Sequence, residues 1–126
     1  MKRIYWGTAI LLFLLFASLT GTHYFSGKID EISRHVERSA EYAGQGDTLR
    51  ALEEISLAEE KWDALETYTH IFIRHSEIDT TDEAFGEYIF NVLTEDGPAV
   101  KISGAALRHC LAELVRMERA SIGSIL

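Results

Sequence analysis

The chain has 126 residues, 47% of them hydrophobic, with one Pro and one Cys. This composition suits one packed domain with an added segment, and it excludes general disorder, a disulfide framework and a cysteine-based zinc site. All acidic residues lie at or after Asp30; beyond the N-terminal apolar run ten bases face twenty acids, and this balance of −10 argues against DNA or RNA as a partner.

Ile4 to Phe25 contains no Asp, Glu, Lys or Arg. As a helix at ~1.5 Å per residue it would reach ~33 Å, enough to cross a bilayer core. Tyr5 and Trp6 at one end, and Tyr24 and Phe25 at the other, match two interfacial aromatic belts. Lys2 and Arg3 favour a cytoplasmic N-terminus and place the remaining chain outside. The expectation is an uncleaved signal anchor in a bacterial cell membrane, residues 1–25, ahead of an acidic extracytoplasmic helical domain, residues 26–126. A cleaved signal peptide is the alternative, given the small residues Ala17, Ser18 and Gly21; a soluble core helix is third, because the segment has no polar face.

Lys28 to Ala43 carries Ile29, Ile32, Val36, Ala40 and Ala43 at helical spacing. Gly44-Gln45-Gly46 breaks it, and Asp47 caps a second helix. Ala51, Ile55, Ala58, Trp62, Leu65, Thr69 and Phe72 then form a heptad-like seam that predicts a helix to about His75. The acids Glu53, Glu54, Glu59, Glu60, Asp63 and Glu66 fall mostly off this seam and read as a solvated face. No Asp-rich loop with a central Gly supports calcium. Thr80 to Glu83 matches a capping box, and Phe85, Ile89 and Val92 give a third helical face. Asp96-Gly97-Pro98 starts a last helix with Val100, Leu107, Leu111 and Leu114 inward, flanked by Cys110 and Met117. Ser121 to Leu126 reads as a tail. The predicted fold is all-α, with an N-terminal transmembrane helix followed by an antiparallel three- to four-helix bundle.

Candidate chemistry is sparse. His75, Glu77 and Asp79 form a dense polar cluster that could serve a metal or ligand, but capping between two helices is the preferred reading, with no metal bound. His70 lies five residues before His75, off its helical face, which argues against a helical zinc pair. Trp62 reads as core and Cys110 as an inert thiol, with an intermolecular disulfide as the alternative. His109 adjoins Cys110, but adjacent helical residues diverge by ~100° and make no nucleophile–base pair. His23 falls at the membrane edge and His35 on a polar face. No catalytic constellation is present, so no enzyme activity and no cofactor is expected.

Ala58-Glu59-x-x-Trp62, His75-Ser76-Glu77-Ile78-Asp79 and the C-terminal Glu118-Arg119-x-Ser121-Ile122-x-Ser124-Ile125-Leu126 resemble an uncharacterised family of small bacterial proteins. Its members have one membrane helix and an extracytoplasmic helical domain, with Asn where this chain has Ser124. The resemblance implies a membrane-anchored domain of unknown function and assigns no catalytic residue. Gly46-Asp47 through Trp62 is also similar to the first helix of a tetratricopeptide repeat, read as convergent hairpin patterning because a single unit cannot bury its own faces. The function expected is a scaffold or protein-interaction module, with a basic protein as a candidate partner and homo-oligomerisation open. The alternative is an extracytoplasmic sensor using His75, Glu77 and Asp79.

Overall fold

The computed structural model describes residues 2–65, 68–70 and 73–125. Four helices carry the fold: α1 (Lys2–Gly44), α2 (Thr48–Ala64), α3 (His75–Leu93) and α4 (Gly97–Ile125). Each packs along the next, and α4 returns to α1, which closes a four-helix bundle. No strand occurs among the described residues.

The bundle core follows the apolar stripes. Ile29, Ile32 and Val36 of α1 meet Ala51, Ile55, Ala58 and Trp62 of α2, Phe85, Tyr88 and Val92 of α3, and Leu107, Leu111 and Leu114 of α4. At one end of this core Phe25 stacks on Tyr68, with ring centroids 5.2 Å apart, and Tyr68 Oη donates to the fully buried Glu118 at 2.7 Å.

The two tight turns share one geometry. After α1, Gly46 N–H donates to Ala43 O and Asp47 N–H to Tyr42 O. After α3, Glu95 N–H donates to Val92 O and Asp96 N–H to Asn91 O. Both are Schellman closures, which place one residue in the left-handed region. Gly46 holds it at φ +81°, but Glu95 holds it at φ 56° in the second turn, where a side chain is strained. Asp47 then caps α2 by accepting from Arg50 N–H at 3.2 Å, and Asp96 accepts from Ala99 N–H at the start of α4.

Several expectations are corrected. Among the described residues no helix is long and apolar enough to cross a membrane, so the transmembrane helix over Ile4 to Phe25 and the single-pass cell-membrane localisation do not stand. The unbroken apolar run is only Ala9 to Ala17, which rises about 13 Å against a hydrocarbon core of about 30 Å. Thr8 closes that run on one side, and Ser18, Thr20, Thr22 and His23 dilute the other. Phe25, expected in an aromatic belt, is instead a fully buried core residue. α1 crosses residues 25–26 without a break.

The second helix stops at Ala64 rather than near His75. The following Thr67 to Ile73 is a run of β-branched and aromatic residues that lose side-chain freedom in a helix. The seam outlives the helix: Leu65, Thr69 and Ile73 stay buried, with Thr69 N–H on Leu65 O and Ile73 N–H on Thr69 O. Phe72 lies outside the described residues. Thr80 is no cap, because α3 already starts at His75; its hydroxyl donates back to Ser76 O at 2.8 Å. Residues 121–125, expected as a tail, continue α4.

Candidate functional site

Two polar links tie the core together. Tyr88 Oη donates to Ser39 Oγ at 2.8 Å, and Ser39 Oγ donates to Ala51 O at 2.7 Å, so α3, α1 and α2 share one buried relay. Gly104 of α4 lies against the Tyr88 ring; a Cβ there would come within 3.2 Å of Cε2. Burial pushes the Tyr88 phenol up, against the opposing pull of the Ser39 hydrogen bond and Arg108. Trp62 is 4% exposed, stacks on Phe85 and donates Nε1–H to Asp82 at 2.7 Å. Glu59 beside it is pushed above the usual carboxylate range by burial and by the charges of Asp63 and Asp82. Both clusters have complete structural explanations, and neither opens onto a cleft suited to chemistry: the void beside Trp62 is about 40 Å³.

His75, Glu77 and Asp79 do not gather. All three lie in the first turns of α3, where helical geometry turns Glu77 well away from His75. Glu77 is half-buried in the first turn and favoured there by the helix dipole, whereas Asp79 is exposed. No side chain caps α3, since Arg74 occupies the N-cap position without such a bond. Among the described residues no group of three or more His, Cys, Asp or Glu side chains could hold a metal ion.

His70 behaves differently from its spacing. Its ring centroid is 5.0 Å from that of His75, tilted by 51°. One helix through both residues would point them apart; here residues 68–70 are helical, Ile73 and Arg74 are not, and the next helix starts at His75, so the two exposed imidazoles meet across that interruption. A run of poor helix formers between two histidines was the signal that could have shown it.

The other titratable candidates are partnered locally. His35, expected on a polar face, is half-buried and pairs with Glu54 across α1 and α2 at 2.7 Å. Cys110 is half-buried, and burial, then the charges of Glu77 and Glu113, push its thiol up toward the protonated, unreactive form. His109 stands 4.0 Å from Glu113.

The surface feature with the largest reach is the N-terminal half of α1. Every large apolar residue from Ile4 to Phe16 is between 44% and 76% exposed, and Leu19 and Tyr24 are also exposed. Residues 4–17 rise about 20 Å as a helix whose large apolar side chains point to all sides, with Thr8 the one polar side chain among them. At its foot an open groove of about 450 Å³ runs between α1 (His23, Ser26, Gly27, Asp30) and α4 (Ala112, Val115).

Comparison with known proteins yields no match: no family model, no curated protein and no solved structure is similar to this chain.

Proposed function

We propose that this chain is a protein-interaction scaffold whose N-terminal arm assembles with the arms of further copies of the same chain. The observation that carries the reading is the exposure of the arm's apolar side chains on every face, beside a bundle whose own core is closed. Together these side chains present on the order of 1,000 Å² of surface, the scale of a specific protein interface. An amphipathic helix would dock one stripe on one partner; a helix apolar all round must be surrounded. Identical arms in a closed symmetric bundle do that, and no charge between Arg3 and Lys28 opposes their parallel approach or encodes a different partner. The acidic bundles would hang outward from this stalk, where their shared sign keeps them apart. Binding is favoured over catalysis, because the polar clusters are consumed by packing and helix ties.

Analytical ultracentrifugation of the full chain and of a Leu12→Glu, Phe16→Glu variant tests the reading. The parent should sediment as a defined oligomer and the variant as a monomer with the same far-ultraviolet helix signal. A monomeric parent at micromolar concentration overturns it. So does an oligomer that survives the variant, or a parent that floats with neutral phospholipid vesicles as single chains.

A further inference from the structure

We infer that the outward face shared by α2 and α3 docks a cationic amphipathic helix of a partner protein. The site is independent of the arm and of any assembly built on it. Its centre is apolar. Glu83, Gly86, Phe90 and Leu93 recur at three- and four-residue steps, which puts them on one side of α3, opposite the buried Phe85, Tyr88 and Val92. Phe90 is 64% exposed and Leu93 59%, and Gly86 has open space above it. Leu49 of α2, 72% exposed, stands at the same end of the face, because the adjacent Thr48 bonds to Glu95 just past Leu93. The three side chains together present on the order of 400 Å² of apolar surface, the scale at which an exposed patch marks an interaction site. Among the described residues α2 and α3 also pack less closely than the other neighbouring helices, which leaves their facing edges open to a further helix.

The charge around this patch selects the occupant. Glu59 and Asp63 of α2 and Asp79, Asp82 and Glu83 of α3 lie along the face, and α3 contains no Lys or Arg. The two bases of α2 are turned elsewhere: Arg50 pairs with Asp47 and lies over the Tyr42 ring of α1, and Lys61 pairs with Glu31 of α1. Arg74 precedes α3 at the end far from Phe90. Glu59 registers the uncompensated negative field, its carboxyl pushed up by burial and then by the charges of Asp63 and Asp82. Asp82 accepts from Trp62 Nε1–H but stays exposed, and a carboxylate has further lone pairs for an incoming cation. A helix laid along α3 sets its apolar anchors on Leu49, Phe90 and Leu93 and brings its Lys or Arg side chains to the acids further along. From Asp79 to Leu93 the face is about 21 Å long, so a partner helix of about 15 residues covers it.

The test uses a synthetic Leu/Lys peptide of about 15 residues that forms an amphipathic helix, with a fluorophore and one photoreactive apolar residue, titrated into the full-length chain. Its anisotropy should rise with a micromolar dissociation constant, and binding should weaken as sodium chloride rises. Crosslinks should map to residues 49–63 and 79–93. The Phe90→Ser, Leu93→Ser variant should weaken binding about tenfold. Asp79→Asn with Glu83→Gln should weaken it about threefold and flatten the salt dependence. Both variants alter only exposed side chains, so their helix content should match the parent's. A peptide of the same composition with its Leu residues scattered around the helix should bind about tenfold more weakly, which separates docking from charge attraction alone. Absence of binding up to about 100 μM peptide overturns the site. Equal binding by the parent and the Phe90→Ser, Leu93→Ser variant overturns it as well, as do equal binding by the scattered peptide and crosslinks confined to the arm or to α4.

Discussion

Trp62→Ala should remove about 4 kcal/mol of folding stability. A buried aromatic of this kind covers roughly 150–250 Å². At about 25 cal/mol per Å² that burial stabilises by ~4–6 kcal/mol, lowered to ~3–4 by residual burial in the unfolded chain. The hydrogen bond from Nε1–H to Asp82 adds about 1 kcal/mol, below the ~1.5–3 kcal/mol usual for a charged acceptor, because exposed Asp82 regains water once the donor is gone. The void of about 40 Å³ already present among Trp62, Thr69 and Ile78 would grow rather than collapse, since the Phe85 ring on its other side would lose its stacking partner. Trp62→Phe separates the two contributions: it keeps an aromatic on Phe85, loses the donor, and should cost only about 1–2 kcal/mol. Urea unfolding in a Trp6→Phe background, where Trp62 is the one remaining tryptophan, gives the parent value and the local fluorescence together. A loss under about 1 kcal/mol for Trp62→Ala would refute the packing account and place Trp62 among surface residues. Equal losses for the Ala and Phe variants would refute the division between burial and hydrogen bond.

Glu95→Gly should stabilise the chain by up to about 1 kcal/mol, because it relieves a left-handed non-glycine residue at the cost of one exposed hydrogen bond from Thr48; thermal melts check this. Tyr68→Phe should cost about 1–3 kcal/mol by removing the donor to a fully buried carboxylate, measured by urea unfolding. Gly104→Ala gains about 1 kcal/mol of helix propensity but presses on a Tyr88 ring held by its bond to Ser39; the net should be a loss that reverses in a Tyr88→Leu background, read from a double-mutant cycle. Glu59 has a raised folded-state pKa, so its contribution to stability is most favourable below the unfolded value and is lost as pH rises through the folded one. Glu59→Gln should therefore gain stability at pH 7, by less than about 1 kcal/mol for this partly exposed group, and the gain should vanish at acid pH in paired denaturation curves.

Much of the bundle was legible as periodicity. The stripe from Ile29 to Val36, the seam from Ala51 to Trp62, and Leu107, Leu111 and Leu114 are all buried where their spacing put them. Asp47 and Gly46 worked as local signals because each acts on its own backbone within a few residues. The misreadings came where local and tertiary terms compete. Leu65 and Thr69 continue the apolar period, so the pattern could not show that the second helix stops at Ala64. Thr80 and Glu83 satisfy a capping rule that α3 overrides by starting five residues earlier at His75. The His70–His75 approach was hidden for the same reason, since helical spacing separates residues that a break brings together. Ile4 to Phe25 was read as one uniform span, but Phe25 belongs to the bundle core and polar residues shorten the apolar run ahead of it.

The arm and the bundle are one helix, and this constrains how the proposed assembly works. α1 spans 43 residues, about 64 Å, with no proline and no interruption, so the arm cannot swing independently of the bundle. The layer of Phe25, Tyr68 and Glu118 sits where the arm leaves the core, and it closes the apolar interior at that end with a stacked pair and a buried hydrogen bond. A force on the arm is therefore delivered to α2 through His35–Glu54 and the Ser39–Ala51 bond, and to α3 through Tyr88. Gathering the arms would fix the bundles side by side at a set angle, each carrying its acidic surface. That surface resists crowding but is screened within about 8–10 Å at physiological ionic strength. Apolar association of the arms depends far less on salt than repulsion between the bundles does. Assembly should accordingly tighten as salt rises, the opposite of an interface held by ion pairs, and sedimentation at low and high sodium chloride distinguishes the two; weakening with salt would show that charge, not the apolar arm, holds the copies together.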